Sequence, residues 1–159
     1  MMIIDGKKEA EILRLEIKKE IDLLKSKNNK VPGLTVILIG DFAPSQIYVK
    51  NKEKSAKEVG INSSVVRYSK EVTEDEVLKK IEDLNNDTDV SGILVQLPLP
   101  PQINKEKIIN AINPKKDVDG FHPMNVGNLS SGYHAIVPCT PLGCLYLIKK
   151  VENNLSGKH

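Results

Sequence analysis

The 159-residue chain has no tryptophan, and aromatic residues make up only 4% of it. A surface that stacks nucleobases needs aromatic faces set among many cations. Here 23 Lys and Arg stand against 21 Asp and Glu, a formal net charge of +2, so no nucleic-acid partner is expected. No apolar run approaches the roughly 18 residues that cross a bilayer, and no membrane partner is expected either. The opening run "MMII" gives way at once to mixed charge in "DGKKEAE", which is not the pattern of a secretory signal. Cysteine is scarce as well, with only Cys139 and Cys144 in "PCTPLGC". A chain of this length buries roughly 70% of its unfolded surface and needs no disulfide staple. The two thiols therefore read as reduced groups in a cytoplasmic protein. Cys139 lacks a thiol-enzyme signature around it, which leaves a small apolar filler as its ordinary role.

Certain glycine patterns are missing too. No G-x-G-x-x-G occurs anywhere, so the chain has no dinucleotide fingerprint. "GNLSSGYH" has the glycine spacing of a phosphate loop, but it lacks the Lys and Ser/Thr that would hold phosphate and magnesium. Asp117, Asp119 and His122 in "KKDVDGFHP" hint at a metal. They have neither the spacing of a zinc helix nor the later Glu of a calcium loop, and no metal is expected.

What the chain does have is alternation. "KKEAEILRLEIKKEIDLLKSK" carries Ala10, Leu13, Ile17, Ile21 and Leu24 at helical spacing. "LTVILIG" is a continuous β-branched run, as in a parallel strand buried on both faces. A helix containing Tyr48 follows, then a short strand near "SSVVRY". "TEDEVLKKIEDL" opens with Thr73 and Glu76 as a capping box. "SGILVQL" is a third strand, stopped by "PLPP". "KEKIINAI" reads as a short helix capped by Asn104. Residues 113 to 139 read as one long irregular segment, a length that is commonly functional. "TPLGCLYLIKKVENN" restarts a helix, with Thr140 as N-cap, Pro141 in the first helical position, and Leu145, Ile148 and Val151 on one face. The expected fold is a three-layer αβα domain with a mostly parallel sheet.

In open parallel sheets, ligands bind beyond the carboxyl ends of the strands. Gln96 ends the third strand there, stiffened by Pro98, Pro100 and Pro101. Asp119 opens the long segment. Tyr48 and Lys52 lie in the helix after the first strand. At 100° per residue, Lys50, Lys54 and Lys57 fall opposite Tyr48, whereas Lys52 lies within about 40° of it, on the stripe of Ser55, Ala56 and Val59. A lysine drawn partly out of water has its ammonium form disfavoured and becomes useful as an acid or base, and a tyrosine one turn away can stack on a flat ring. Each residue also has an ordinary reading. Lys52 can snorkel at a helix edge, Tyr48 can be a half-buried core residue, Gln96 can cap a turn, and Asp119 before Gly120 can form one. Tyr-x-x-x-Lys is also the pair of short-chain dehydrogenases, but those carry the glycine loop that is missing here.

Together, "YVKNK", "GILVQLPLP", "KDVDGFHPMNVG" and "PCTP" resemble, in order and spacing, the bifunctional methylenetetrahydrofolate dehydrogenase/methenyltetrahydrofolate cyclohydrolase family, over essentially the whole chain. The resemblance implies NADP-dependent oxidation of methylenetetrahydrofolate to the methenyl cation, then hydrolysis to 10-formyltetrahydrofolate, with tetrahydrofolate as the one-carbon carrier. It implies that Lys52 is the catalytic lysine, that Tyr48 packs on the folate ring, that Gln96 orients the lysine, and that Asp119 holds the amino edge of the pterin. Val95, Leu97 and Pro138 are expected to line the same substrate site. By the same resemblance, residues 1–141 are the folate-binding catalytic domain. Residues 142–159 are a connecting helix leading toward a Rossmann domain that binds NADP and is not part of this chain. The family protein is expected to be a homodimer, and this piece a monomer without dehydrogenase activity. Two other classes stay open. A non-catalytic module would hold folate or another flat heterocycle without needing Lys52 as a base. An interaction domain would use the basic face of Lys50, Lys54 and Lys57, which otherwise is simply solvated.

Overall fold

The computed structural model describes residues 3–28 and 30–158. Met1 and Met2 of the opening apolar run, and His159, lie outside them. The described elements run α1 (Gly6–Asn28), β1 (Gly33–Ile39), α2 (Ala43–Val59), β2 (Asn62–Tyr68), α3 (Glu74–Asn86), β3 (Gly92–Val95), α4 (Lys105–Ala111), α5 (Pro123–Ser130) and α6 (Cys139–Lys149). The strands form one all-parallel sheet in the order β2-β1-β3. The central strand is β1, as its continuous apolar run requires: Val36, Ile37, Leu38 and Ile39 are all buried.

Alternation along β1 sends its side chains into two cores. Ile37 and Ile39 join Ile93 and Val95 of β3, Val77, Ile81 and Leu84 of α3, and Ile108 of α4. Val36 and Leu38 join Leu94 and, from α2, Val49. Helices therefore cover both faces of the sheet, which is the expected αβα layering. Complete burial of Ile37, Ile81 and Ile93 stabilises the sandwich by about 1.5–3 kcal/mol for each side chain. Thr73 caps α3 as expected: its hydroxyl accepts from Glu76 N at 3.3 Å, and the Glu76 carboxylate accepts from Thr73 N at 3.0 Å. Asn104 caps α4 in the same way, accepting from Lys107 N at 3.1 Å.

Three expectations need correction. The segment 113–139 is not wholly irregular, because α5 lies inside it. Pro123 occupies the first turn, where its missing N–H costs nothing, and the His122 ring nitrogen accepts from Met124 N at 3.1 Å. The last helix begins at Cys139 after Pro138, so Thr140 is not its N-cap but lies within its first turn. The stripe of α1 is also less buried than its spacing suggests. Ile21 is buried, but Leu13 and Leu24 remain 37% and 44% exposed. The reason is position: α1 packs on α2, outside the layer that touches the sheet.

Two ties hold the long segment to this frame. Lys116 donates to the carbonyls of Leu84 and Asp87 at 2.8 and 2.7 Å, a cation set where the α3 dipole favours one. Next to it, Ile93 N donates to Lys116 O at 2.7 Å, and Asp117 bridges Ile93 in parallel fashion along the free edge of β3. The long segment thus starts as a continuation of the sheet, which brings Asp119 near the strand tips.

Candidate active site

The site forms where α2 meets the tip of β3. The α2 face that turns inward is Ser45, Val49, Ala56 and Val59, all buried. Lys52 falls on that stripe and is partly buried, as its helical phase predicts. Its Nζ donates to Gln96 Oε1 at 3.1 Å. The other end of the Gln96 amide donates to Leu97 O at 2.8 Å. These two bonds fix which way round the amide sits: its oxygen must meet the ammonium and its nitrogen the carbonyl. Gln96 N in turn donates to Ile37 O at 2.9 Å, one step beyond the last residue of β3. Ser45 Oγ also donates to Leu97 O, at 3.4 Å. A chain of hydrogen bonds thus runs from the sheet to the lysine tip.

Asp119 faces the same place and is partly buried. Burial holds its carboxyl above the usual carboxylate range; the Lys52 ammonium opposes that push and the Asp117 carboxylate adds to it. No described residue donates a side-chain or backbone hydrogen bond to the Asp119 carboxylate, and the cation whose charge acts on it, Lys52, is bonded to Gln96 instead. A half-dehydrated carboxylate without donors is an acceptor ready for a ligand that brings N–H groups.

Tyr48, one turn before Lys52, is 62% exposed. It is therefore not a half-buried core residue, and its ring stands free on the shoulder of the crevice. Val95 is buried and its side chain belongs to the core. Leu97 contributes its carbonyl to the hydrogen-bond chain. Together with Asp117, Asp119 and Phe121, Val95 and Leu97 line a cavity of about 10 Å³, which is room for about one water. A flat ligand would therefore lie across the open crevice rather than inside that cavity. Pro138 sits on the far side of Gly120. Gly120 has φ +67°, and a Cβ there would come within 2.6 Å of Ile136 O and 2.9 Å of Pro138 N. Only glycine lets the 136–138 strap close on the turn that carries Asp119.

The basic face opposite Tyr48 is largely paired. Lys57 meets Glu53 at 2.6 Å and Lys54 meets Glu58 at 3.8 Å. These exposed i,i+4 pairs on a solvated surface do little to attract a partner.

With that geometry in view, the sequence profile described as tetrahydrofolate dehydrogenase/cyclohydrolase, catalytic domain, matches residues 4–119, well over half the chain. The chain belongs to this family. It is 65% identical over 158 residues to the bifunctional protein FolD of Pelagibacter ubique (strain HTCC1062), a match that covers 99% of this chain and 56% of that protein. A solved FolD methylenetetrahydrofolate dehydrogenase/cyclohydrolase from Campylobacter jejuni superposes with a TM-score of 0.94 at 46% identity, over 98% of this chain and 55% of that one. The Trypanosoma brucei methylenetetrahydrofolate dehydrogenase-cyclohydrolase, solved with NADP cofactor and inhibitor, superposes with a TM-score of 0.90 at 34% identity, over 94% of this chain and 51% of that one. The chain thus spans about half the length of the curated relatives it matches.

For a member of the tetrahydrofolate dehydrogenase/cyclohydrolase family, two features of this site escape the spacing argument. Ser45, which ties α2 to the strand tip, carries no motif; its signal is its phase, seven residues before Lys52 on the inward stripe. Asp117, one of the three residues that hint at a metal, instead accepts from His122 N at 2.8 Å and Asn125 Nδ2 at 3.0 Å through its carboxylate. Asn125 gives no signal in the sequence, because a lone Asn in a segment that reads as irregular has no periodicity.

Proposed function

We propose that this chain is the folate-binding part of a methylenetetrahydrofolate dehydrogenase/methenyltetrahydrofolate cyclohydrolase, with Lys52, Gln96 and Asp119 carrying the chemistry and Tyr48 serving as the ring platform. The observation behind this reading is the Lys52–Gln96 bond at the tip of β3. A module that only binds has no need to hold an amine by a dedicated amide.

In the hydrolytic step, water adds to the carbon of the methenyl cation and releases one proton. The remaining hydroxyl proton passes to N5 as the carbon–N5 bond breaks, leaving 10-formyltetrahydrofolate. Lys52 is the group that takes the proton released from the water oxygen as it adds to this carbon. Gln96 aims it, Asp119 accepts from the amino edge of the pterin, and Tyr48 packs on the ring face. Val95, Leu97 and Pro138 back the crevice, Val95 through its main chain.

Residues 1–141 are assigned to the folate site and 142–159 to a connection toward a cofactor domain, although α6 already begins at Cys139. The residues present do not fit NADP. The β1–α2 turn holds a single glycine, Gly40, before Phe42 and Pro44, and no backbone cradle for a pyrophosphate follows from it. NADP, and the hydride transfer with it, is accordingly assigned to the part of the longer relatives that this chain does not span. On this reading the chain alone is monomeric and the longer protein a homodimer. The two exposed free thiols suit the reducing cytoplasm.

The test is the hydrolysis of methenyltetrahydrofolate, followed by absorbance, with this chain and with Lys52→Ala. Acceleration that disappears in the variant supports the reading. An unchanged rate in Lys52→Ala, or no effect of either protein on a folate that both bind, removes the catalytic role.

A further inference from the structure

Asp117 is a nearly complete paradox of burial. Its side chain is 2% exposed, it lies two positions before Asp119, and no cation meets it within ion-pair distance among the described residues. Burying a carboxylate in this way costs stability unless something else is gained. Its Oδ2 takes two donors, His122 N at 2.8 Å and Asn125 Nδ2 at 3.0 Å. Asn125 is itself 6% exposed, and its Nδ2 also donates to Pro114 O at 2.9 Å. The carbonyl of Asp117 accepts from Gly120 N at 3.4 Å. The first turn of α5 is thereby bound back onto the edge of β3, and residues 114 to 125 close into a loop with Asp119 at its crest. Ile136–Pro138 press on that crest from the other side, at Gly120.

We propose that Asp117 and Asn125 are positioning residues: their hydrogen bond clamps the loop so that the Asp119 carboxylate stands in the crevice of Lys52 and Gln96. Neither side chain touches the ligand. The cost of one buried carboxylate goes into fixing where a second carboxylate sits. This inference rests on the folate reading above, but its central geometry can be tested without a ligand.

The experiment is a double-mutant cycle on this chain. Tetrahydrofolate affinity is measured by anaerobic calorimetry, well below the lowest melting temperature of the set. Asn125→Ala should weaken binding at least tenfold in the parent and less than twofold in the Asp119→Ala background. A clamp that only stabilises the fold would instead cost the same factor in both backgrounds, and that additive result overturns the proposal. Asp117→Asn keeps an acceptor oxygen for both donors and should fall between the parent and Asp117→Ala; it carries the same cycle should Asn125→Ala not fold. If the parent shows no saturable tetrahydrofolate binding, the folate reading fails, and the clamp is judged by amide exchange alone. The His122 and Gly120 amides should then exchange at least tenfold faster in Asn125→Ala while those of β1 hold. Unchanged exchange at His122 and Gly120 overturns the clamp.

Discussion

Two carboxylates separated by a single residue live in opposite circumstances. Asp117 lies behind the crest of the loop, deeply buried, with two N–H donors on one oxygen. Asp119 lies in front of it, less buried, with no donor from any described residue and its proton held more tightly than usual. Burial alone does not separate structure from function here, since the more buried group is the contented one. The difference is satisfaction. A buried acceptor held by two donors of its own chain belongs to the fold, whereas one left without any is shaped for something that arrives.

The contrast can be broken at several points. The largest effect is expected in front of the crest, at Lys52. Lys52→Ala should lose about 10²–10⁴-fold in methenyltetrahydrofolate hydrolysis with little change in thermal melting, because the side chain anchors no core cluster. Behind the crest the balance reverses. Asp117→Ala takes the acceptor from His122 N at about 1–3 kcal/mol and leaves Asn125 Nδ2 with Pro114 O alone, and chemical denaturation should record a loss of that order. A smaller effect belongs to Gln96. Gln96→Leu removes the acceptor for the Lys52 ammonium, a charged hydrogen bond of about 1.5–3 kcal/mol. The hydrolysis rate should fall roughly 10–100-fold while circular dichroism stays unchanged. Equal losses of rate and stability in Lys52→Ala would erase the distinction between the two sides.

Much of the front side is legible from residues alone. The inward phase of Lys52 follows from 3.6 residues per turn, and it holds because Ser45, Val49, Ala56 and Val59 make that face the buried one. The strand-tip place of Gln96 follows from the apolar run before it and the prolines after it. The Thr73–Glu76 capping box is a local pattern, and it forms as its sequence says. The back side is not legible. Asp117 meets Asn125 only because α5 folds back, and α5 hides behind Pro123, which reads as a breaker unless the helix is known to start there. The apolar stripe of α1 signals amphipathicity but not which layer receives it, so Leu13 and Leu24 lie largely outside the core that their spacing suggests.

The smallest change tests the central claim most directly, because it should move two properties in opposite directions. Folded Asp119 keeps its proton to higher pH than the unfolded chain does. The stability it contributes is therefore complete below the ordinary carboxylate range and is lost as pH rises through the raised value. Asparagine cannot ionise. Asp119→Asn should thus be more stable than the parent near neutral pH, and the gap should close in acid. Its tetrahydrofolate affinity, measured on the same samples by calorimetry, should fall. A higher melting temperature with weaker binding is the result predicted for a carboxylate kept under-satisfied for a ligand. A variant that melts lower and binds as the parent does would contradict the account, and would make Asp119 a second structural carboxylate like its neighbour.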